Sequence, residues 1–241
     1  MTIVVGIRCT DGVVVASDSQ AEFEVGVGVK RLNANKIHCI DNRYAIGGAG
    51  VLAHIEAGIE NIIFALQAKV EEQRTHLTQD ECEDVIWRTL VAMHKRYNID
   101  RSRMLGIEET DYFSPTFLFA SKTPEEDPTF FLFTLYSDGL VENIGDYGAV
   151  GSGAAYAELL LKNLYSPSAD VSAGEKLAAY VISEVKSIDP NCGGDTIIAT
   201  VSKDSVEQKS EKEVRGLVDE MRTIVSRAYE EVRGSLGDKG G

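Results

Sequence analysis

The chain has 241 residues, 44% hydrophobic and 26% charged, enough for one large domain with a substantial core. With 24 basic and 38 acidic residues the formal charge is −14, which argues against non-specific nucleic-acid binding. No apolar run reaches the length of a membrane span, and the four histidines form no metal-ligand pattern, so neither membrane nor metal or other cofactor is expected. Cys9, Cys39, Cys82 and Cys192 show no CxxC spacing and no signal peptide is visible, so they read as reduced thiols of a cytoplasmic protein.

In chain order, MTIVVGIRCTDGVVVASDSQ reads as two apolar strands around Cys9-Thr10-Asp11-Gly12, a hairpin signal. A three-residue loop with Gly12 in the left-handed region would pair Val4 with Asp18, on the same face as Thr2; a two-residue turn would put Asp18 opposite Val5. Lys36–Ile40 and Tyr44–Ile46 make a second strand pair turning at Asp41-Asn42. A helix follows with its apolar stripe on Ile55, Ile59, Ile62, Leu66 and Val70. Thr78 and Glu81 form a capping box for the next helix, carrying Val85, Leu90, Met93 and Tyr97. Residues from about 100 to 113 read as a loop. Strands follow at Pro115–Ser121, Phe130–Tyr136 and Tyr147–Val150, with Asp138-Gly139 as a turn. Gly151-Ser152-Gly153 opens a third helix, Ser172 with Glu175 caps a fourth, and Gly194–Val201 is a last strand. Helix pairs segregated around antiparallel strands predict an α+β fold of two packed sheets with helices outside. The expected division is one domain over 1–205 and a C-terminal helical extension over 206–241.

Two stretches carry candidate chemistry. Gly151-Ser-Gly153 after a strand superficially matches a dinucleotide fingerprint, but the third small residue is missing and no βαβ unit follows. The other is Thr2 with Asp18 and Lys36. Met-Thr is a start from which the initiator methionine is normally trimmed, leaving a hydroxyl and an α-amine on Thr2. Such an amine titrates near ~7.7–8.0, and a neighbouring lysine lowers it and orients the hydroxyl. A buried lysine needs a counter-charge, which Asp18 supplies. The same three residues also fit a strand-edge threonine with a surface aspartate and a surface lysine.

Four blocks bear on that choice: TIVVGIRCTDGVVVASDSQ, NANKIHCIDNRYAIGGAGVLAHIEA, GAVGSGAAYAELLL and DPNCGGDTIIATVSKD. Their set and order resemble the proteasome β-type family of N-terminal nucleophile (Ntn) hydrolases to about residue 204. The resemblance implies a four-layer αββα sandwich and threonine-protease chemistry. It matches Thr2 to the nucleophile, Asp18 and Lys36 to its charge partners, and Gly50 to the N–H donor for the oxyanion. Ser152, Asp189 and Cys192 match the group supporting the amine. Cys192 stands where the family usually has serine, and the Asp18-to-Lys36 interval is two residues longer than usual. With no propeptide before Thr2, the chain resembles the simpler bacterial members.

The expected function is therefore a threonine endopeptidase within a self-compartmentalising homo-oligomer, a ring or spiral, acting on unfolded protein or peptides, with an ATPase or other gating partner as a further implication. A transpeptidase or Ntn amidohydrolase is the nearest alternative, and a catalytically silent structural subunit is another. Through the resemblance Ala21, Ala34, Gly48 and Leu52 line the pocket for the side chain before the cut. Glu56 matches a position that is acidic in trypsin-like subunits, which implies a preference for Arg or Lys. In the tail, Val214, Leu217, Val218, Met221, Val225, Ala228 and Val232 form a helical stripe, Glu211 and Arg215 a supporting pair, and Gly234 and Gly237 the end. Packing of that stripe on a neighbouring subunit is expected over packing on its own domain.

Overall fold

The computed structural model describes residues 2–25, 28–74, 77–108 and 112–237; Met1, whose removal the sequence predicts, lies outside them. Strands β1 (Ile3–Cys9) and β2 (Gly12–Asp18) form the first hairpin, with Cys9 opposite Gly12 across the Thr10-Asp11 turn. The expected three-residue loop is not formed. Val4 pairs with Ser17, and Asp18 falls level with Ile3 rather than Val4 or Val5. Both faces of these strands are buried, so apolar alternation alone does not select the register. Contacts from far along the chain hold the turn: Thr10 N–H bonds to Ala169 O at 2.9 Å, and Asp11 Oδ1 accepts from Val171 N at 2.8 Å. Gly12 is not left-handed; a Cβ there would sit 2.4 Å from Val201 O, so glycine serves close strand approach.

A ribbon of β3 (Gln20–Val25) and β4 (Gly28–Asn33) fills the lengthened interval before Lys36, where no strands were read from the sequence. Strands β5 (Ile37–Ile40) and β6 (Tyr44–Ala49) turn as expected, with Asp41 and Asn42 at φ of 50° and 53°. Helix α1 (Leu52–Gln73) buries Ile55, Ile59, Ile62 and Leu66. Helix α2 (Gln79–His94) has its Thr78–Glu81 capping box, Thr78 N–H to Glu81 Oε2 at 2.8 Å and Glu81 N–H to Thr78 Oγ1 at 3.3 Å. Its core face is Cys82, Ile86, Leu90 and Met93, so Ile86 takes the place expected of Val85. The expected loop from 100 is instead helical at its start. A π-helical segment, Lys95–Asp100, leads into α3 (Arg101–Leu105), which ends at Gly106 with φ of 65°.

Strands β7 (Thr116–Lys122), β8 (Phe130–Tyr136), β9 (Val141–Ile144) and β10 (Tyr147–Gly151) follow, then α4 (Ala154–Leu164) and α5 (Val171–Ile188). The α5 cap is Asp170, whose carboxylate accepts from Ala173 N at 2.8 Å, not Ser172 with Glu175. Glu175 is buried one turn further on, accepting from Thr200 Oγ1 at 2.7 Å and pairing with Lys209 at 3.2 Å. Strands β11 (Thr196–Ser202) and β12 (Val206–Gln208) precede α6 (Glu211–Gly237). Because β12 pairs with β11, the C-terminal extension starts as an edge strand.

Two antiparallel five-stranded sheets result, ordered β10-β1-β2-β11-β12 and β5-β6-β7-β8-β9. Alternating residues feed three cores. Val4, Val13 and Val15 meet Ala45, Leu118 and Leu132 between the sheets. Ile3, Val5, Ile7, Val14 and Ala16 pack against α4 and α5. Ile46, Phe117, Phe119 and Phe133 pack against α1 and α2. This is the α+β fold expected, with helix pairs outside two sheets. Among the described residues no helix is long and apolar enough to cross a membrane.

The start of α6 folds back on its own domain. Val214 is 3% exposed, Leu217 and Val218 are partly buried beside it, Lys176 binds Glu220 at 2.7 Å, and Arg222 reaches Ser183 Oγ at 2.8 Å. The Glu211–Arg215 pair forms. Gly234 does not end the helix, which runs to Gly237. Further along, Ile224, Tyr229 and Val232 are 51%, 57% and 55% exposed. Val214→Ala is therefore expected to lower stability by about 1.5–2 kcal/mol, read as a lower urea midpoint. Val232→Ala should leave the midpoint within about 0.5 kcal/mol.

Candidate active site

Lys36 lies just before β5, and its side chain is only 2% exposed where the ends of β1 and β2 come together. An ammonium so placed needs close acceptors. It donates to Asp18 Oδ1 at 2.8 Å and to Thr2 Oγ1 at 2.5 Å. Thr2 and Asp18 are 2% and 0% exposed, so the surface reading of these residues is set aside. Asp18 accepts further bonds, from Ile3 N–H at 3.2 Å and from Gly193 N–H at 3.0 Å. The one-residue register difference in the first hairpin matters here: level with Ile3, the carboxylate caps that strand's N–H and still reaches Lys36. Gly48 N–H donates to Lys36 O at 3.1 Å, anchoring the lysine's backbone.

A second cluster backs the first. Ser152 Oγ lies 3.4 Å from Thr2 O and 3.9 Å from Cys192 Sγ, and the Cys192 thiol points to Asp189 Oδ2 at 3.5 Å. Asp189 Oδ1 accepts from Asn191 N and Nδ2 at 2.9 and 2.8 Å. Burial raises the Asp189 carboxyl, but bonds from Asn191, Ser152 and Cys192 outweigh it and hold the group below its ordinary range. The Cys192 thiol is pushed up to about 12, by burial first and then by the Asp18 charge, so it is not a thiolate at neutral pH. Gly151, at φ of 106°, brings β10 close to Thr2: a Cβ there would lie 2.1 Å from Thr2 O.

Thr2 and Lys36 open into a cavity of about 620 Å³. Its walls are Gln20 and Ala21 of β3, Ala49 to Ala53 with Ile55, Ser114 and Thr116 at the entry to β7, and Gly151 with Ser152. Gly50, at φ of 133°, stands where β6 gives way to α1, and Val51 caps α1 without a side-chain bond. The cavity thus brings together Thr2, Lys36, Gly50, Ser152, Ala21 and Leu52, with Asp18, Asp189 and Cys192 behind its wall. It does not include Ala34, Gly48 or Glu56. Ala34 donates to Ser19 O at 2.7 Å, and a Cβ on Gly48 would meet Ile55 Cγ2 at 2.4 Å, so Gly48 acts on the cavity through Ile55. Glu56 is exposed on α1. It opposes, with Glu60, the lowering of the His38 pKa that burial causes. No carboxylate lines the cavity among the described residues, so the basis for an Arg or Lys preference is missing.

Gly193 escaped the sequence reading although its N–H holds Asp18; the signal was the Gly193-Gly194 pair, since a Cβ on Gly193 would lie 2.3 Å from Gln20 Oε1. Ser114 and Thr116 were also missed. Thr116 is placed by pairing with Ala49 across β6 and β7, which no local pattern reveals.

A family model for proteasome subunits matches residues 2–99. The chain is 29% identical to proteasome subunit beta 2 of Pyrococcus furiosus over 207 residues, covering 86% of this chain and 90% of that one. It is also 29% identical to proteasome subunit beta of Nanoarchaeum equitans over 208 residues, 86% and 96% of the two chains. Proteasome subunit beta 1 of Thermococcus sibiricus is 27% identical over 220 residues, 91% and 96% of the two. These matches bear out the resemblance read from the four sequence blocks.

The buried pair makes a stability claim. Lys36→Ala strands the Asp18 carboxylate in the interior and is expected to cost on the order of 3–5 kcal/mol in urea unfolding. Thr2→Ala removes a single acceptor and should cost about 1 kcal/mol or less. Equal losses for the two would contradict the buried-pair account.

Proposed function

We propose that this chain of the proteasome β-type Ntn hydrolase family is a threonine endopeptidase, with Thr2 the nucleophile once Met1 is removed. The observation that carries this reading is the Lys36 ammonium, paired with Asp18 and donating to Thr2 Oγ1 at 2.5 Å where both line a cavity of about 620 Å³. Proteasome β subunits are generally threonine peptidases; the assignment to this member is ours.

In the proposed reaction Thr2 Oγ1 attacks the peptide carbonyl carbon and its proton passes to the freed α-amine. The positive charge of Lys36 favours the alkoxide character that develops on Oγ1. The Gly50 N–H stabilises the tetrahedral oxyanion, a contribution of about 3 kcal/mol for one well-aimed donor. The C–N bond then breaks, the amine's proton goes to the leaving nitrogen, and water hydrolyses the ester to restore Thr2. Ser152, Asp189 and Cys192 support the N-terminal amine through the chain of contacts behind Thr2. Residues Ala21, Leu52, Ala49 and Ile55 receive the side chain before the cut, and Ala34, Gly48 and Glu56 act outside that lining. The working unit is a homo-oligomeric ring or spiral in the cytoplasm that takes unfolded chains, and a gating ATPase fits the same reading.

Two outcomes test this. An epoxyketone or β-lactone should add one mass equivalent to a chain lacking Met1, and Thr2→Ala should abolish both labelling and peptide cleavage. A wild-type chain that keeps Met1 and takes no label is instead a silent subunit. On a fluorogenic panel, kcat/KM for Val or Leu at the cleaved position should exceed that for Arg by at least about tenfold, because no carboxylate among the described residues of the cavity wall offers the guanidinium a counter-charge. A preference for Arg would restore a role for Glu56.

A further inference from the structure

The polar side chain most completely enclosed in the helical layer is Asn98, 1% exposed in the π-helical segment. Besides meeting the His94 side chain, it grips a distant stretch of backbone. Its Nδ2 donates to Phe113 O at 3.0 Å, and its Oδ1 accepts from Phe113 N at 2.7 Å. The same Nδ2 lies 3.0 Å from His94 Nδ1, one turn earlier. A carboxamide satisfying both the N–H and the C=O of one residue fixes that residue's position and rotation. Rings close around the grip: Tyr97 stacks on Phe113 with centroids 5.2 Å apart, and His54 lies 5.5 Å from Phe113.

The gripped residue leads straight into the cavity. Ser114 and Thr116 line it, and between them Pro115 closes over Gly50, where a Cβ would meet Pro115 Cα at 3.2 Å. The π-helical turn inserts an extra residue per turn, a distortion often found at functional sites. Here it presents Asn98 to the strand entry beside the cavity. The catalytic candidates are held by other parts: β1, β2, the approach to β5 and the Gly193 turn.

We propose that Asn98 is a positioning residue which, through Phe113, sets the wall of the substrate cavity at Ser114 and Thr116 and thereby its fit to the substrate side chain, without touching the nucleophile. This rests on the cavity being the substrate site of the proposed peptidase. Displacing a cavity wall by about 1 Å is enough to cost one to two orders of magnitude in substrate use.

The test uses Asn98→Ala, with Asn98→Asp as a second variant that keeps the acceptor for Phe113 N–H and loses the donor to Phe113 O. In hydrogen exchange, the Phe113 amide should exchange at least about tenfold faster in Asn98→Ala while Phe117 in β7 stays protected. With peptide substrates, KM should rise roughly tenfold and side-chain preference should broaden, with kcat changed about threefold or less. Acylation of Thr2 by a small β-lactone lacking a side chain should stay within about twofold of wild type. Asn98→Asp should move KM in the same direction, and it carries the same measurements should the alanine variant not fold. An unchanged Phe113 exchange rate overturns the clamp whatever the activity. An unchanged KM and preference, or a parallel fall in lactone acylation and peptide cleavage, overturns the positioning role. Failure of the wild type to label, with fast Phe113 exchange in the variant, counts against the peptidase reading and not against the clamp.

Discussion

The buried contact between Lys36 and Asp18 is the constraint on which the site depends. Charges at 0–2% exposure are tolerated only when each finds partners that replace water, and here the replacement is shared among distant segments. Asp18 ends β2 in one sheet, Lys36 precedes β5 in the other, Ile3 belongs to β1, and Gly193 comes from the connection between α5 and β11. The pair therefore fastens the mouth of the sheet sandwich, where Thr2 emerges. Anything that shifts one of these segments leaves a polar group unsatisfied. The same bonds that make the charges affordable also hold Thr2 Oγ1 against the ammonium.

Close backbone approach is the second requirement, and glycines meet it. Gly151 lets β10 run against the Thr2 carbonyl, and Gly12 lets β11 run against the first hairpin. Gly50 adopts φ of 133° where β6 must stop and α1 must begin. The result is a strand end, a helix start and a nucleophile candidate around one cavity. Pro115 packs against Gly50 from the β7 side, so the cavity is closed by elements far apart in sequence.

The outer layers stabilise this arrangement indirectly. Helix α5 is buried along most of its length, and α6 covers part of its outer side through Val214, Leu217 and Val218. Lys186 on α5 donates to Gly194 O at 3.0 Å and to Thr196 Oγ1 at 2.8 Å, holding the chain just after the Gly193 turn that binds Asp18. Helix α6, packed on α5, thus bears on the candidate site through α5. On the opposite side, α2 and its π-helical extension brace the entry to β7.

What the sequence by itself determined was whatever local chemistry specifies. The stripe of α1, the Thr78–Glu81 capping box, the Asp41-Asn42 turn and the strands Thr116–Lys122, Phe130–Tyr136 and Tyr147–Gly151 follow from periodicity and turn residues a few positions apart, whereas Val141–Ile144 was not read as a strand. The pairing of Thr2, Asp18 and Lys36 was also legible, because a hydroxyl, a carboxylate and an amine complement one another wherever the chain brings them together, and four sequence blocks tied them to a family. Only the tertiary structure decided the rest. The first hairpin's register was open because both its faces are buried, and Ala169 and Val171 fixed it from across the chain. The α5 cap went to Asp170, since Glu175 is engaged by Thr200 and Lys209 instead. Asn98 turned inward because Phe113 supplies both a donor and an acceptor 15 residues away. Which residues line the cavity, and that Glu56 does not, depended on where α1 sits over β6 and how close Ile55 comes to Gly48. Local patterns specify torsions and faces; a site's walls are specified by packing between segments that the sequence keeps apart.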